Sequence, residues 1–309
     1  MPDTVILILG PTCVGKSETA IELTKALKTE LISADSMQIY KYMDIGTGKP
    51  SLSERQGIKH HMIDIVLPEE TYSVGRYIED VIPVINTIHE KNKIPVVVGG
   101  TGLYTKAMTR GLFPGPSADW SLRGELLRLE EESKGILYEN LRRLDPTAAE
   151  NIMPTDLRRI LRSLEVSLKS NEKMSELKAR LTKPLPYEFI KIGLMRERKE
   201  LYGMIEKRVE DMIARGLVHE VNRLLSMNPS STSMQAIGYK EIASYLKGNY
   251  PLDEAIRLIK RNTKRYAKRQ FTWFKKEEGI HWIDVTGIFS GREIYNKVSV
   301  LFSLTKVNL

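Results

Sequence analysis

The chain has 309 residues, 41% apolar and 28% charged, enough for one large domain or two with a substantial buried core, and too apolar for a disordered chain. Lysine and arginine outnumber the acids by 47 to 39, a net charge of +8 that points weakly to a polyanionic partner. No apolar run reaches the length of a membrane span, and the single cysteine, Cys13, excludes a disulfide scaffold or a cysteine-based zinc site.

The first predicted element is a strand through Val5-Ile6-Leu7-Ile8-Leu9, followed by Gly10-Pro11-Thr12-Cys13-Val14-Gly15-Lys16-Ser17 and a helical pattern through Ala20, Ile21, Leu23, Ala26 and Leu27. The octet matches G-x-x-x-x-G-K-[ST] in the strand–loop–helix context that motif needs. Its glycines let backbone N–H groups approach phosphate oxygens, Lys16 adds a point charge, and the Ser17 hydroxyl is placed to ligate Mg2+. With a strand expected from Val5 onward, no signal or transit segment is expected, and the lone cysteine fits a reducing cytoplasm.

Further strand-like runs follow at Leu31-Ile32-Ser33-Ala34-Asp35 and Met62-Ile63-Asp64-Ile65, then a helix over Val74 to Lys91, then Ile94-Pro95-Val96-Val97-Val98 closed by Gly99-Gly100-Thr101-Gly102. Unbroken apolar strands alternating with helices predict a parallel sheet covered on both faces. Ligands bind at the carboxyl ends of such strands, where Asp35, Gly99, Gly100 and Thr101 share an edge with the phosphate loop. The composition shifts at Phe113-Pro114-Gly115-Pro116-Ser117, and from there to Pro184-Leu185-Pro186 the pattern is helical, with Leu122, Leu126 and Leu129 on one face. A strand at Phe189 to Leu194, long helices and a last strand at His281 to Val285 complete the chain. The expected architecture is α/β. A P-loop NTPase-like parallel sheet core, residues 1–113 and 186–309, has helices on both faces and is interrupted by a small all-helical insertion domain, 114–185.

A phosphoryl-transfer enzyme of this class would place an aspartate at a strand end to hold Mg2+. The best candidate strand ends Val98-Gly99-Gly100-Thr101, with no acid, so the site is expected to hold a diphosphate without transferring phosphate. Asp35 is the nearest acid at that edge, readable either as a turn cap or as a catalytic carboxylate. Gly46-Thr47-Gly48-Lys49 alone is an ordinary turn, and His60-His61 lacks further ligands at metal spacing. Basic stripes occur at Lys260, Lys264 and Lys268, at Arg261, Arg265 and Arg269, and at Arg158, Arg159 and Arg162. Each could be a merely solvated face. Two such regions beside a phosphate pocket favour a nucleic-acid backbone.

Together Gly10–Ser17, Asp35-Ser36-Met37-Gln38-Ile39-Tyr40, Asp44 to Pro50, His60-His61, Gly99 to Tyr104, Arg159 to Glu165, Gln235 to Glu241 and Tyr266 to Phe274 occur in an order that resembles the tRNA dimethylallyltransferases, nearly end to end. The resemblance implies transfer of an isoprenoid from dimethylallyl diphosphate to N6 of adenosine-37 in tRNA, with Mg2+ and without ATP consumption. It implies that Gly10, Pro11, Thr12, Cys13, Val14, Gly15, Lys16 and Ser17, with Arg198, bind the diphosphate. Asp35 would take the N6 proton, Thr12 would donate toward the bridge oxygen, and Lys16 would neutralise the leaving charge. Ser36, Met37, Gln38 and Thr101 would contact the target-base region, and Arg123, Arg158, Arg159, Ile160, Leu161 and Arg162 would hold the anticodon stem. A monomer is expected.

The chain departs from the family's R-x-x-L-x-x-R-I stretch: Arg198 fills the first arginine, but Met204 precedes Ile205 where the second belongs, leaving Arg208 as a further candidate. The zinc finger of eukaryotic members is absent, as the lone cysteine requires. An isopentenyltransferase acting on free adenine nucleotides, a P-loop nucleotide kinase and a non-catalytic RNA-binding protein are the alternatives. The helical insert and basic stripes weigh against the first, the missing strand-end acid and the Asp35 block against the second, and the diphosphate pocket against the third.

Overall fold

In the computed structural model, which describes residues 3–305, the sheet comprises β1 (Thr4–Leu9), β2 (Leu31–Ser33), β3 (His60–His61), β4 (Val96–Gly99), β5 (Glu188–Met195) and β6 (Ile280–Asp284). All pairings are parallel, in the order β3-β2-β4-β1-β5-β6. From Val5 to Leu9 every residue of β1 is at most 1% exposed. Alternate side chains point to opposite faces of a strand, so both faces of the sheet are covered, as an all-parallel sheet requires.

The helices are α1 (Lys16–Ala26), α2 (Val74–Glu90), α3 (Gly102–Arg110), α4 (Trp120–Glu132), α5 (Ile136–Leu144), α6 (Pro146–Glu150), α7 (Leu157–Ser170), α8 (Met174–Leu181), α9 (Arg198–Ala214), α10 (Leu217–Leu225), α11 (Tyr239–Leu246), α12 (Leu252–Phe274) and α13 (Gly291–Thr305). Helix α1 packs on α13, where Gly291 sits directly against Glu18. Among the described residues no helix is long and apolar enough to cross a membrane.

The third strand lies at His60–His61 and not at Met62 to Ile65. Met62 (φ 60°) and Asp64 (φ 58°) are left-handed, which breaks extended pairing there. The kink is held by the Lys49 ammonium, which donates to Asp64 Oδ1 and Asp44 Oδ1, both at 2.6 Å, and to the Tyr40 carbonyl at 2.8 Å. Lys49 is thus a buried structural cation.

The described residues divide into two compact units, those up to Ala107 with those from Pro186 onward, and Met108–Leu185. The second has its own core, built from Leu126, Leu137, Leu141, Ala149, Ile160 and Leu164. Asp119, Asp145 and Asp156 accept backbone N–H bonds at the N-termini of α4, α6 and α7. This unit begins at Met108, ahead of the Pro-Gly stretch, because the two chain segments entering and leaving it are paired. Leu185 N donates to Met108 O at 3.1 Å, and Gly111 lies on the Lys183 backbone.

At the end of β4, a Cβ on Gly99 would press on the carbonyl and Cβ of Ala34 after β2. Gly99→Ala is expected to lower the unfolding free energy by about 1–3 kcal/mol in urea melts; an unchanged midpoint would contradict this packing.

Candidate active site

Between β1 and α1 the backbone turns three times through left-handed or glycine-only conformations, at Gly10 (φ 143°), Cys13 (φ 64°) and Gly15 (φ 102°). A Cβ at Gly10 would stand 2.5 Å from Leu194 O, so the first turn requires glycine. Gly15 is the N-cap of α1 and offers no side-chain acceptor. The opening N–H groups of α1 therefore form an anion site backed by the helix dipole. Lys16 Nζ donates to Pro11 O at 2.6 Å. Burial draws the Lys16 ammonium down to about 8, against the attraction of Cys13 and Asp35 and with some help from Arg208. Ser17 is exposed in the first helical turn. Among the described residues no group of three or more His, Cys, Asp or Glu could hold a metal ion.

Beyond β2, Asp35 Oδ1 accepts from Met37 N at 2.9 Å and Gln38 N at 3.4 Å, so the turn occupies one carboxylate oxygen. Ser36 N donates to Thr101 Oγ1 at 3.0 Å, and Thr101 N donates to Ala34 O at 3.3 Å, joining the Asp35 turn to the loop after β4. Gln38 is tied between Ser33 Oγ at 3.2 Å and Gly48 O at 3.4 Å. Tyr104 and Tyr266 are both pushed up, first by burial and then by the Asp35 charge. Asp35, Ser36, Met37, Gln38 and Thr101 thus lie together with Lys16 and the phosphate loop at one sheet edge. Asp35 both shapes its turn and faces the lysine's field.

Gln270, which the expected site lacks, and Arg208, its further candidate, complete this edge. Gln270, 6% exposed on α12, accepts from Thr12 N at 2.9 Å and donates to Gly100 O at 2.9 Å. The inward spacing of Tyr266, Gln270 and Phe274 was the signal available for it. Arg208 on α9 reaches Cys13 Sγ at 3.8 Å and Thr47 O at 3.4 Å, in space left free by the missing side chain of Gly48. By contrast Arg198 is exposed at the start of α9, its Nε donating to Tyr202 Oη at 3.0 Å.

Elsewhere the basic residues are partly engaged. Lys260 pairs with Glu210 at 2.6 Å and Lys264 with Glu206, so α9 offsets much of the like-charge repulsion along that stripe. Arg261, Arg265, Lys268 and Arg269 are exposed. His60 Nδ1 bonds Ile58 O and His61 Nε2 bonds Glu30.

In the helical unit Arg158 and Arg159 are exposed, Arg159 pairing with Asp156, and Leu161 is half-buried. Ile160 is 1% exposed and packs in the unit's core. Its side chain packs inward, and the exposed surface of this turn is made by the arginines beside it. Arg123 and Arg162 both engage the fully buried carboxylate of Glu165. Arg123 donates at 2.9 and 2.8 Å, Arg162 at 2.6 Å and Asp119 N at 2.7 Å. Burial works to raise the Glu165 carboxyl, yet these donors hold it at about 2.

A family profile described as IPP transferase matches residues 38–277. The tRNA dimethylallyltransferase of Thermodesulfovibrio yellowstonii is 56% identical over 294 residues, 93% of each chain. That of Thermotoga maritima is 46% identical over 284 residues, 91% of this chain and 92% of its own. Among solved structures, a full-length tRNA isopentenylpyrophosphate transferase from Bacillus halodurans is 39% identical with a TM-score of 0.72, covering 98% of both chains. A eukaryotic dimethylallyltransferase acting on tRNA is 31% identical with a TM-score of 0.81, covering 98% of this chain and 79% of that one.

Removing the Glu165 charge leaves two partly buried guanidinium groups short of a partner. Glu165→Gln is expected to destabilise by about 1–3 kcal/mol at neutral pH, below the range for fully buried pairs because both arginines keep some solvent. The depressed carboxyl stabilises the fold above its unfolded value near ~4.3 and loses this as pH falls through about 2. The gap between wild type and variant in urea melts should therefore narrow from pH 4.5 toward 2. A gap independent of pH would contradict the arrangement.

Proposed function

The chain belongs to the IPP transferase family, and on that premise we propose how its residues carry out dimethylallyl transfer to adenosine-37 of tRNA. The observation that carries the reading is the pairing of an anion cradle with a carboxylate at one edge. The phosphate loop and the Asp35 turn meet there, close enough for Lys16 and Asp35 to feel each other's charge. The strand end that would carry a metal-binding acid in a phosphoryl-transfer site ends instead in Gly99-Gly100-Thr101.

The diphosphate of dimethylallyl diphosphate occupies the cradle, held by the first-turn N–H groups of α1 and by Lys16. Arg208, beside Cys13, adds positive charge, and Arg198 at the start of α9 is the outer candidate. Ser17 suits Mg2+, a hard cation that takes oxygen ligands and keeps several waters, with the diphosphate supplying the rest of the shell. Bound there, the ion would neutralise charge on the departing diphosphate. The adenine, turned out of its stack to reach the site, presents N6 to Asp35. As the N6–C1 bond forms, the C1–O bond breaks, its electron pair leaves with the diphosphate, and the N6 proton passes to the Asp35 carboxylate. Thr12 donates toward the bridge oxygen. Ser36, Met37, Gln38 and Thr101 surround the base, and the exposed Arg158 and Arg159, with Arg123, Leu161 and Arg162 near them, address the anticodon stem. A reducing cytoplasm suits Cys13, whose thiol lies within the loop.

Dimethylallyl diphosphate labelled in the five-carbon group, offered with unmodified tRNA or with AMP, should label the tRNA. Label entering AMP alone would select a free-nucleotide transferase. Asp35→Ala should lose roughly 10²–10⁴-fold in turnover with tRNA affinity within threefold; near-wild-type turnover would remove Asp35 from its role. Because the protonated ammonium is the binding form, inorganic diphosphate affinity should be full below pH ~8 and fall as pH rises through the Lys16 value of about 8. Lys16→Arg should abolish that fall, and an unaltered pH profile in this variant would assign it elsewhere.

A further inference from the structure

We propose that Gln270 is a positioning residue for the transfer step, setting the phosphate loop and the base-facing turn in one fixed relation. The inference rests on the assignment of Thr12 and Asp35 above.

Thr12 N–H and Gly100 C=O belong to loops after different strands, β1 and β4, which are neighbours in the sheet. A primary amide can accept from the first and donate to the second through one planar group, without needing to be protonated. Gln270 does both, at 2.9 Å each. Gly100 has no side chain to spare: a Cβ there would fall on the Gln270 amide nitrogen. One residue beyond Gly100, Thr101 accepts from Ser36 N, next to Asp35. The chain of contacts therefore runs from Thr12, at the leaving group, through Gln270 and Gly100 to Thr101 and the carboxylate that takes the proton. One turn earlier on α12, the Tyr266 hydroxyl lies beside Thr101 and Gln270 and feels Asp35. Neither Gln270 nor Tyr266 needs to touch a reacting atom for this. Reactions that need an in-line nucleophile and leaving group are sensitive to displacements near 1 Å, which cost roughly hundredfold in rate.

The test compares wild type, Gln270→Met and Gln270→Glu in single-turnover and steady-state transfer from dimethylallyl diphosphate to unmodified tRNA. Methionine keeps the volume and removes both bonds. It should lower kcat roughly hundredfold while KM for both substrates stays within threefold. Glutamate, when protonated, can still accept from Thr12 N and donate to Gly100 O. When ionised it sets an oxygen anion against that carbonyl. Its activity relative to wild type, measured from pH 7.5 to 5.5, should rise as pH falls. Taking the ratio removes pH dependence that both proteins have in common. Gln270→Met with near-wild-type kcat, a loss confined to KM, or a Gln270→Glu deficit flat in pH would each overturn the inference. If Gln270→Met does not fold, the Gln270→Glu profile decides alone. Asp35→Ala run alongside separates the two layers. Full turnover there removes the site assignment itself, whereas loss there with full turnover in both Gln270 variants removes only the role of Gln270.

Discussion

The structure depends on an uncapped helix start. The first N–H groups of α1 have no side chain to satisfy them, and the chain before them reaches that point only by passing through left-handed turns at Gly10, Cys13 and Gly15. Such a turn is unfavourable for most residues and is tolerated where an anion recovers the dipole's field. Its position follows from β1, the strand between β4 and β5, whose buried residues fix where the loop emerges. Lys16 is desolvated by the same packing, which concentrates its charge on whatever the loop holds.

What that loop does depends on its neighbours at the sheet edge. An acid at the end of β4 would make a metal-assisted phosphoryl site. Glycines there let α12 approach instead, and the nearest acid stands one strand further on, at Asp35. The cradle is thereby paired with a carboxylate, the arrangement on which the proposed reading of its phosphates as a leaving group rests. Helix α12 serves both sides of this arrangement. Its inward residues Tyr266, Gln270 and Phe274 back the loops, while Arg261, Arg265, Lys268 and Arg269 face solvent with the charge a nucleic-acid backbone attracts.

The parts legible in the sequence are the local ones. Strand, loop and helix around Gly10–Ser17 are contiguous, so their pattern is complete within a short stretch, and the apolar runs of β1, β4 and β5 mark a parallel sheet directly. Asp35 and Thr101 are placed at the sheet edge because each follows an apolar strand run, and the blocks of the resemblance are contiguous too. What stayed hidden is long-range. Thr12 meets Gln270 across most of the chain, Lys49 is buried by acids on two separate turns, and Arg123 and Arg162 are claimed by Glu165. Each looks like an ordinary polar residue until its partner is known. Ile160 shares a motif with exposed arginines, yet its helix face turns it into the core. Met62 and Asp64 read as a strand by hydropathy, while an ion pair bends the backbone away.

The central claim is that the cradle releases an intact diphosphate. It is tested most directly by placing 18O in the bridge between the allylic carbon and phosphorus of dimethylallyl diphosphate and following transfer to unmodified tRNA without ATP. Cleavage of the C–O bond predicts that all of the 18O leaves in inorganic diphosphate, one molecule for each dimethylallyl group joined to tRNA. Retention of 18O on the five-carbon fragment, or release of monophosphate, would show that a P–O bond breaks and would contradict the account.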